Sequence, residues 1–100
     1  MLAPNVRWEP ADAEPCSGRD EVERFMRIAA TSGPKLEAEE FIDGGDRVIV
    51  CLRRSAKDDS EAFEGADRTY TVVDLRNGTV IELRGYLDRA AALEAAGLRE

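Results

Sequence analysis

The sequence has no histidine, and its two cysteines, Cys16 and Cys51, are far apart and outside any CxxC spacing. Those absences exclude the usual zinc sites and any mechanism with a histidine base, so no metal and no cofactor is expected. Lysine is scarce, and the fourteen basic residues are scattered singly against twenty-one acids, leaving a formal charge of -7 that repels phosphate backbones. Nucleic acid is therefore not an expected partner. No stretch approaches the roughly 20 apolar residues of a membrane span. Met1-Leu2-Ala3-Pro4-Asn5 has neither the basic start nor the apolar segment of a secretory leader. With its cysteines read as free thiols, the chain is expected in a reducing cytoplasm, away from membranes. The acids Asp58, Asp59, Glu61 and Glu64 lack the spacing of a calcium loop and read as a solvated stretch.

What is present reads as one domain over residues 1–100. A chain of this length can remove roughly 65% of its unfolded surface from water. Val6 to Glu9 is a short extended candidate carrying the only tryptophan, Trp8. Ser17 or Gly18 then caps a helix from Arg19 to Ala30, in which Val22, Phe25, Met26 and Ala29 recur at i, i+3, i+4 and i+7, with acids in the first turn. Leu36 to Asp43 and Arg47 to Arg53 read as strands joined at Gly44-Gly45, and residues 57–65 as a polar loop. Thr69 to Leu75 and Thr79 to Leu87 are rich in Val, Thr, Tyr and Ile around Asn77-Gly78, the signature of a type I′ hairpin. A last helix has Asp88 as N-cap and Gly97 at its C-terminal end, with Leu98 placed for the closing hydrophobic contact.

The order is short strand, helix, two hairpins and short helix, an α+β meander. A two-residue turn at Asn77-Gly78 puts Asp74 opposite Ile81, Val72 opposite Leu83 and Tyr70 opposite Gly85. Val48-Ile49-Val50-Cys51-Leu52 is apolar at both parities, so both faces of that strand need cover. The helices from Arg19 and Arg89 are expected to cover only one face of so small a sheet, and a second copy the other, giving a homodimer packed sheet on sheet.

Three segments carry a family resemblance. Gly18-Arg19-Asp20-Glu21-Val22 opens a helix, and Gly45-Asp46-Arg47-Val48-Ile49-Val50 opens a strand. Asn77-Gly78-Thr79-Val80-Ile81-Glu82-Leu83-Arg84-Gly85-Tyr86-Leu87-Asp88-Arg89 leads to Ala91-Leu93-Ala95-Ala96-Gly97-Leu98. In that order and spacing the chain resembles the nuclear transport factor 2-like (NTF2-like) superfamily, in its SnoaL-like polyketide-cyclase branch. The resemblance implies a cone-like, cystatin-like roll: a curved antiparallel sheet around a cavity, packed by helices. Family members include isomerases, cyclases, epoxide hydrolases, dehydratases and non-catalytic binders, so the fold names no reaction. Members usually begin with helices that precede a segment like Leu2 to Glu9; the expectation here is either a start codon chosen late or a natural short form whose open cavity a partner covers. The epoxide-hydrolase pattern is matched at Arg47, whereas Ile49 and Gly85 stand where its two aspartates belong.

With the concave face taken as the one carrying Gly85, a small apolar ligand is expected against Tyr70, Val72, Leu83, Gly85, Leu87 and Arg47. The same face would carry Asp74 and Ile81. A two-residue turn at Gly44-Gly45 would add Ala38, Glu40, Ile42, Arg47, Ile49 and Cys51 to it. Tyr70 beside a glycine either packs over it or offers a hydroxyl to a ligand. Glu40 next to Arg47 is an acid/base candidate or a structural ion pair, and Asp74 is a turn-flanking acid or a group at the cavity mouth. An unassigned ligand binder, an isomerase, cyclase or dehydratase of a polycyclic or terpenoid substrate working through Glu40, Asp74 and Tyr70, and a protein-interaction module all remain open at this point.

Overall fold

The computed structural model describes residues 1–11, 13–32, 35–55 and 66–98; the expected polar loop at 57–65 and the Gly33-Pro34 helix stop lie outside them. The elements are β1 (Leu2–Glu9), β2 (Cys16–Ser17), α1 (Arg19–Ser32), β3 (Leu36–Asp43), β4 (Arg47–Arg54), β5 (Arg68–Arg76), β6 (Thr79–Tyr86) and α2 (Arg89–Ala95). They form a curved six-stranded sheet of order β2-β1-β6-β5-β4-β3 with two helices, an α+β roll as expected. β1 is longer than the sequence pattern indicates and joins β6 in parallel, Trp8 lying opposite Leu83.

The local signals act as their chemistry requires. Asn77 and Gly78 have φ of 52° and 77°, the two positive values of a type I′ turn, and Arg76 pairs Thr79 across it. Asp88 Oδ1 accepts from the Ala90 amide at 3.2 Å at the start of α2. At its end Gly97, with φ 75°, lets the Leu98 amide reach the Leu93 carbonyl at 2.8 Å and the Gly97 amide reach that of Glu94 at 3.0 Å. Before α1, the Glu21 carboxylate accepts from the Ser17 amide at 3.1 Å, serving a donor just ahead of the helix. Thr31 and Ser32 hydroxyls donate to carbonyls of the last turn, carrying α1 two residues past Ala30.

Two bulges set the faces of the sheet. The β5–β6 register starts as the turn dictates, with Leu75 opposite Val80, then skips Ile81 and pairs Asp74 with Glu82. Beyond that point Tyr70 faces Tyr86, Val72 faces Arg84 and Thr71 faces Gly85. The expected pairs Tyr70 with Gly85, Val72 with Leu83 and Asp74 with Ile81 do not form, because one extra residue in β6 turns its remaining side chains to the other face. In β3 the skipped residue is Glu39, so Ala38 pairs Leu52 while Glu40 pairs Cys51. The β3–β4 connection is also longer than two residues: Asp43 pairs Val48, and the Gly44 amide donates to the Arg47 carbonyl at 2.8 Å. The connection gains two residues, Asp46 and Arg47, an even number, so Glu40, Ile42, Ile49 and Cys51 keep their common face and, through the Glu39 bulge, only Ala38 leaves it.

The helices lie on opposite faces of the sheet. Under α1, Ala3, Val6, Cys16, Val22 and Leu83 are buried, with Trp8, Phe25, Met26 and Val73 packed around them. Under α2, Ile49, Cys51, Tyr70 and Val72 are buried against Ala92, Leu93 and Ala96. Removing a Val side chain such as Val6, Val22 or Val72 wholly from water is worth about 1.5–3 kcal/mol each. On β4, Ile49 and Cys51 are covered by α2, whereas Val48, Val50 and Leu52 on the opposite face are half-buried; the expectation that both helices share a face is corrected. Among the described residues no helix is long and apolar enough to cross a membrane.

Candidate functional site

The bulge at Ile81 divides the residues expected to line one pocket. Tyr70 and Val72 are in the closed core beneath α2, 8% and 0% exposed, whereas Leu83 is buried on the α1 side. Gly85 shares Leu83's side, and its backbone lies directly beneath the β1–β2 connection: a Cβ built there would stand 2.5 Å from the Ala11 amide nitrogen. Leu87 follows β6 and is exposed. These residues do not converge on one ligand.

The three acid/base candidates are engaged elsewhere. Arg47 Nε donates to Asp74 Oδ1 at 3.0 Å and Arg84 Nη2 to Asp74 Oδ2 at 3.4 Å, so Asp74 bridges two guanidinium groups. Arg84 Nη2 also reaches the Ala95 carbonyl at 3.4 Å, tying the cluster to α2. Glu82 Oε1 lies 3.4 Å from Arg84 Nε, near enough for attraction of charge although that buried N–H is not hydrogen-bonded. Glu40 accepts from Arg89 at 3.0 Å rather than pairing with Arg47. Tyr70 is a core ring. A shallow cleft of about 310 Å³ runs beside Asp46, Arg47, Asp74, Arg76 and Asn77 at the hairpin tips, but the charges of Arg47 and Asp74 neutralise each other there. The thiols of Cys16 and Cys51 are pushed up from their ordinary pKa chiefly by burial, as befits inert packing groups.

An apolar pocket of about 180 Å³ opens on the other side of the sheet, between the strands, α1 and the β1–β2 connection. The sheet contributes Trp8, Leu36, Leu52, Thr69, Thr71 and Gly85, the helix Phe25 and Ala29, and the connection Pro10, Ala11 and Ala13. Trp8 and Phe25 meet edge to face, ring centroids 4.9 Å apart at 73°. Thr69 Oγ1 donates to the Tyr86 carbonyl at 3.1 Å. Among the described residues no ionisable side chain is in this lining, and no cluster of acids and thiols is arranged to hold a metal. The polar side-chain groups of the lining residues are the Thr69 and Thr71 hydroxyls and the Trp8 indole N–H.

Sequence reading placed Gly85 here but missed Thr69, Thr71, Leu36 and Leu52. Their signal is the alternation of β5 counted in the register that brings Thr71, not Tyr70, opposite Gly85. Trp8 and Phe41 read as core from the sequence; Trp8 packs at the α1-side core, whereas Phe41 is 66% exposed, which corrects that expectation.

No protein-family profile and no curated protein matches the chain. Solved structures do. An NTF2-like protein of unknown function from Mesorhizobium loti superposes with a TM-score of 0.66 at 23% identity, over 86% of this chain and 70% of that one. The fold is NTF2-like. A provisionally named polyketide cyclase from Sinorhizobium meliloti gives 0.63 at 18% identity, over 85% of this chain and 74% of that one. A de novo designed protein with a curved β-sheet gives 0.65 at 20% identity, over 96% and 72%. Such likenesses fix the architecture and leave the chemistry to the site.

Proposed function

We propose that this NTF2-like chain is a SnoaL-like domain that binds a small apolar ligand in the pocket beneath α1. The observation that carries the reading is a concave lining of aromatic, aliphatic and threonine side chains with no charge among the described residues. The resemblance to a provisionally named polyketide cyclase is consistent with that use. An isomerase, cyclase or dehydratase working through Glu40, Asp74 and Tyr70 gains no support, because those groups are held on the α2 side by Arg89, by Arg47 and Arg84, and by the core. General acid or base catalysis needs such a group within hydrogen-bond reach of the substrate.

Xenon tests the reading, since it enters dry apolar cavities without needing a polar partner. Under xenon pressure, ¹H–¹⁵N spectra are expected to shift at the Trp8 indole N–H and at the amides of Leu52, Thr71 and Gly85. Shifts centred on Val72 and Leu93, or none, would overturn it. The reading includes a cytoplasmic homodimer, for which Phe41 and Ile28, 66% and 55% exposed, supply apolar surface. Sedimentation at micromolar concentration checks that part, and a lone protomer counts against it.

A further inference from the structure

We infer that the ligand of the α1-side pocket is a neutral, single-ring compound carrying one oxygen that hydrogen-bonds to Thr71, an assignment that rests on the ligand-binding reading above. Size comes first. A cavity of roughly 150 Å³ lined by aliphatic and aromatic groups holds one benzene ring, and this pocket is about 180 Å³. One ring with a small substituent fills that volume.

Charge comes second. Among the described residues the lining contains no Arg, Lys, Asp or Glu, so an ionised ligand would lose its hydration with no partner from them in return. The chain's net charge of -7 further disfavours anions.

The polar contact comes third. Thr69 spends its hydroxyl proton on the Tyr86 carbonyl. Thr71 is flanked on its row of the sheet by Val50 and Gly85, neither of which has a polar side chain, and its hydroxyl has no hydrogen-bond partner among the described residues. Thr71 lines the pocket beside Gly85, whose own side-chain position is taken up by the Pro10–Ala11 main chain. A ring oxygen substituent placed in the pocket against Thr71 pairs with its hydroxyl, as acceptor if a ketone and as donor if a phenol.

Four para-methyl compounds of similar size separate the contributions: p-cresol, 4-methylcyclohexanone, toluene and p-toluate, titrated into ¹⁵N-labelled protein near neutral pH and followed at the Trp8 indole N–H. The two oxygenated neutral compounds are expected to bind about five-fold more tightly than toluene, and p-toluate not to saturate. Thr71→Val should bring both down to the toluene level while leaving toluene unchanged, and Thr71→Ser should restore them. Equal affinity for toluene and p-cresol, or a Thr71→Val variant that keeps the preference, overturns the inference while the apolar pocket stands. If none of the four perturbs Trp8 although xenon does, the ring-sized ligand class is wrong; if xenon also fails, the pocket reading falls with it.

Discussion

Gly85 and Ala11 touch backbone to backbone: the position of a Cβ on Gly85 is 2.5 Å from the Ala11 amide nitrogen and 3.2 Å from the Pro10 carbonyl carbon. The chain therefore crosses the sheet where one strand residue has no side chain, and the crossing forms part of the pocket.

That contact makes Gly85 a sensitive position. Gly85→Ala must push the Pro10–Ala11 segment off the sheet, since the obstacle is main chain rather than the tip of a flexible side chain. We expect a loss of about 1–3 kcal/mol in urea unfolding, in the range of other overpacked sites. Weaker binding in the pocket should accompany it. Gly85→Asp, the change that the epoxide-hydrolase pattern invites, should be worse still and bring no hydrolysis.

Tyr70 and Val72 should behave as core and not as ligand contacts. Tyr70→Phe is expected to leave pocket binding unchanged in the same NMR titrations. Val72→Ala, at a fully buried position between β4 and α2, should cost about 2 kcal/mol without altering ligand preference. A large affinity change from Tyr70→Phe would return the site to the α2 side.

Asp74 is 13% exposed and bridges Arg47 and Arg84. Asp74→Asn keeps the shape but removes the charge, leaving the half-buried Arg84 with Glu82 as its remaining carboxylate. A loss of about 1–2 kcal/mol is expected, read from the urea midpoint. Combined with Arg47→Gln it should be less than additive, because both changes break one contact.

Glu39, the residue skipped in the β3–β4 pairing, is clasped by Arg68 through bonds of 2.8 and 3.1 Å. Its hydrogen bonds with Arg68 hold its carboxyl below the ordinary value, opposing a smaller effect of desolvation. A carboxylate depressed on folding stabilises the protein fully above the unfolded pKa and loses that contribution as pH falls through the folded one. The difference in unfolding midpoint between the native chain and Arg68→Gln should therefore be present near about pH 6 and close as pH drops below the carboxylate range, roughly pH 4. The pair is exposed, so salt should shrink the difference.

Where a feature depends on a few neighbouring residues, it was legible in advance. Asn77-Gly78 specifies its turn because both residues tolerate positive φ, and Asp88 with Gly97 brackets α2 because each satisfies orphaned backbone groups within one turn. The apolar run of β4 called for cover on both faces, and α2 supplies it over Ile49 and Cys51. The face of β6 was not legible, for nothing about Ile81 itself announces a bulge. Nor was the division of the helices between the two faces, and those two unknowns together displaced the candidate site from Tyr70 to Thr71.

By itself the amino-acid order determined the two helices, the strands of the two hairpins, the caps of α2, the β5–β6 turn and the absence of histidine chemistry, all of which follow from short-range sterics, hydrogen bonding and composition; β2 and the first half of β1 form only through their pairing in the sheet. The tertiary structure alone decided which side of the sheet each residue serves. Skipping Ile81 and Glu39 costs a ladder pairing in each hairpin, and that cost is offset only when the whole sheet curves to bury Leu83 beneath α1 and Tyr70 beneath α2.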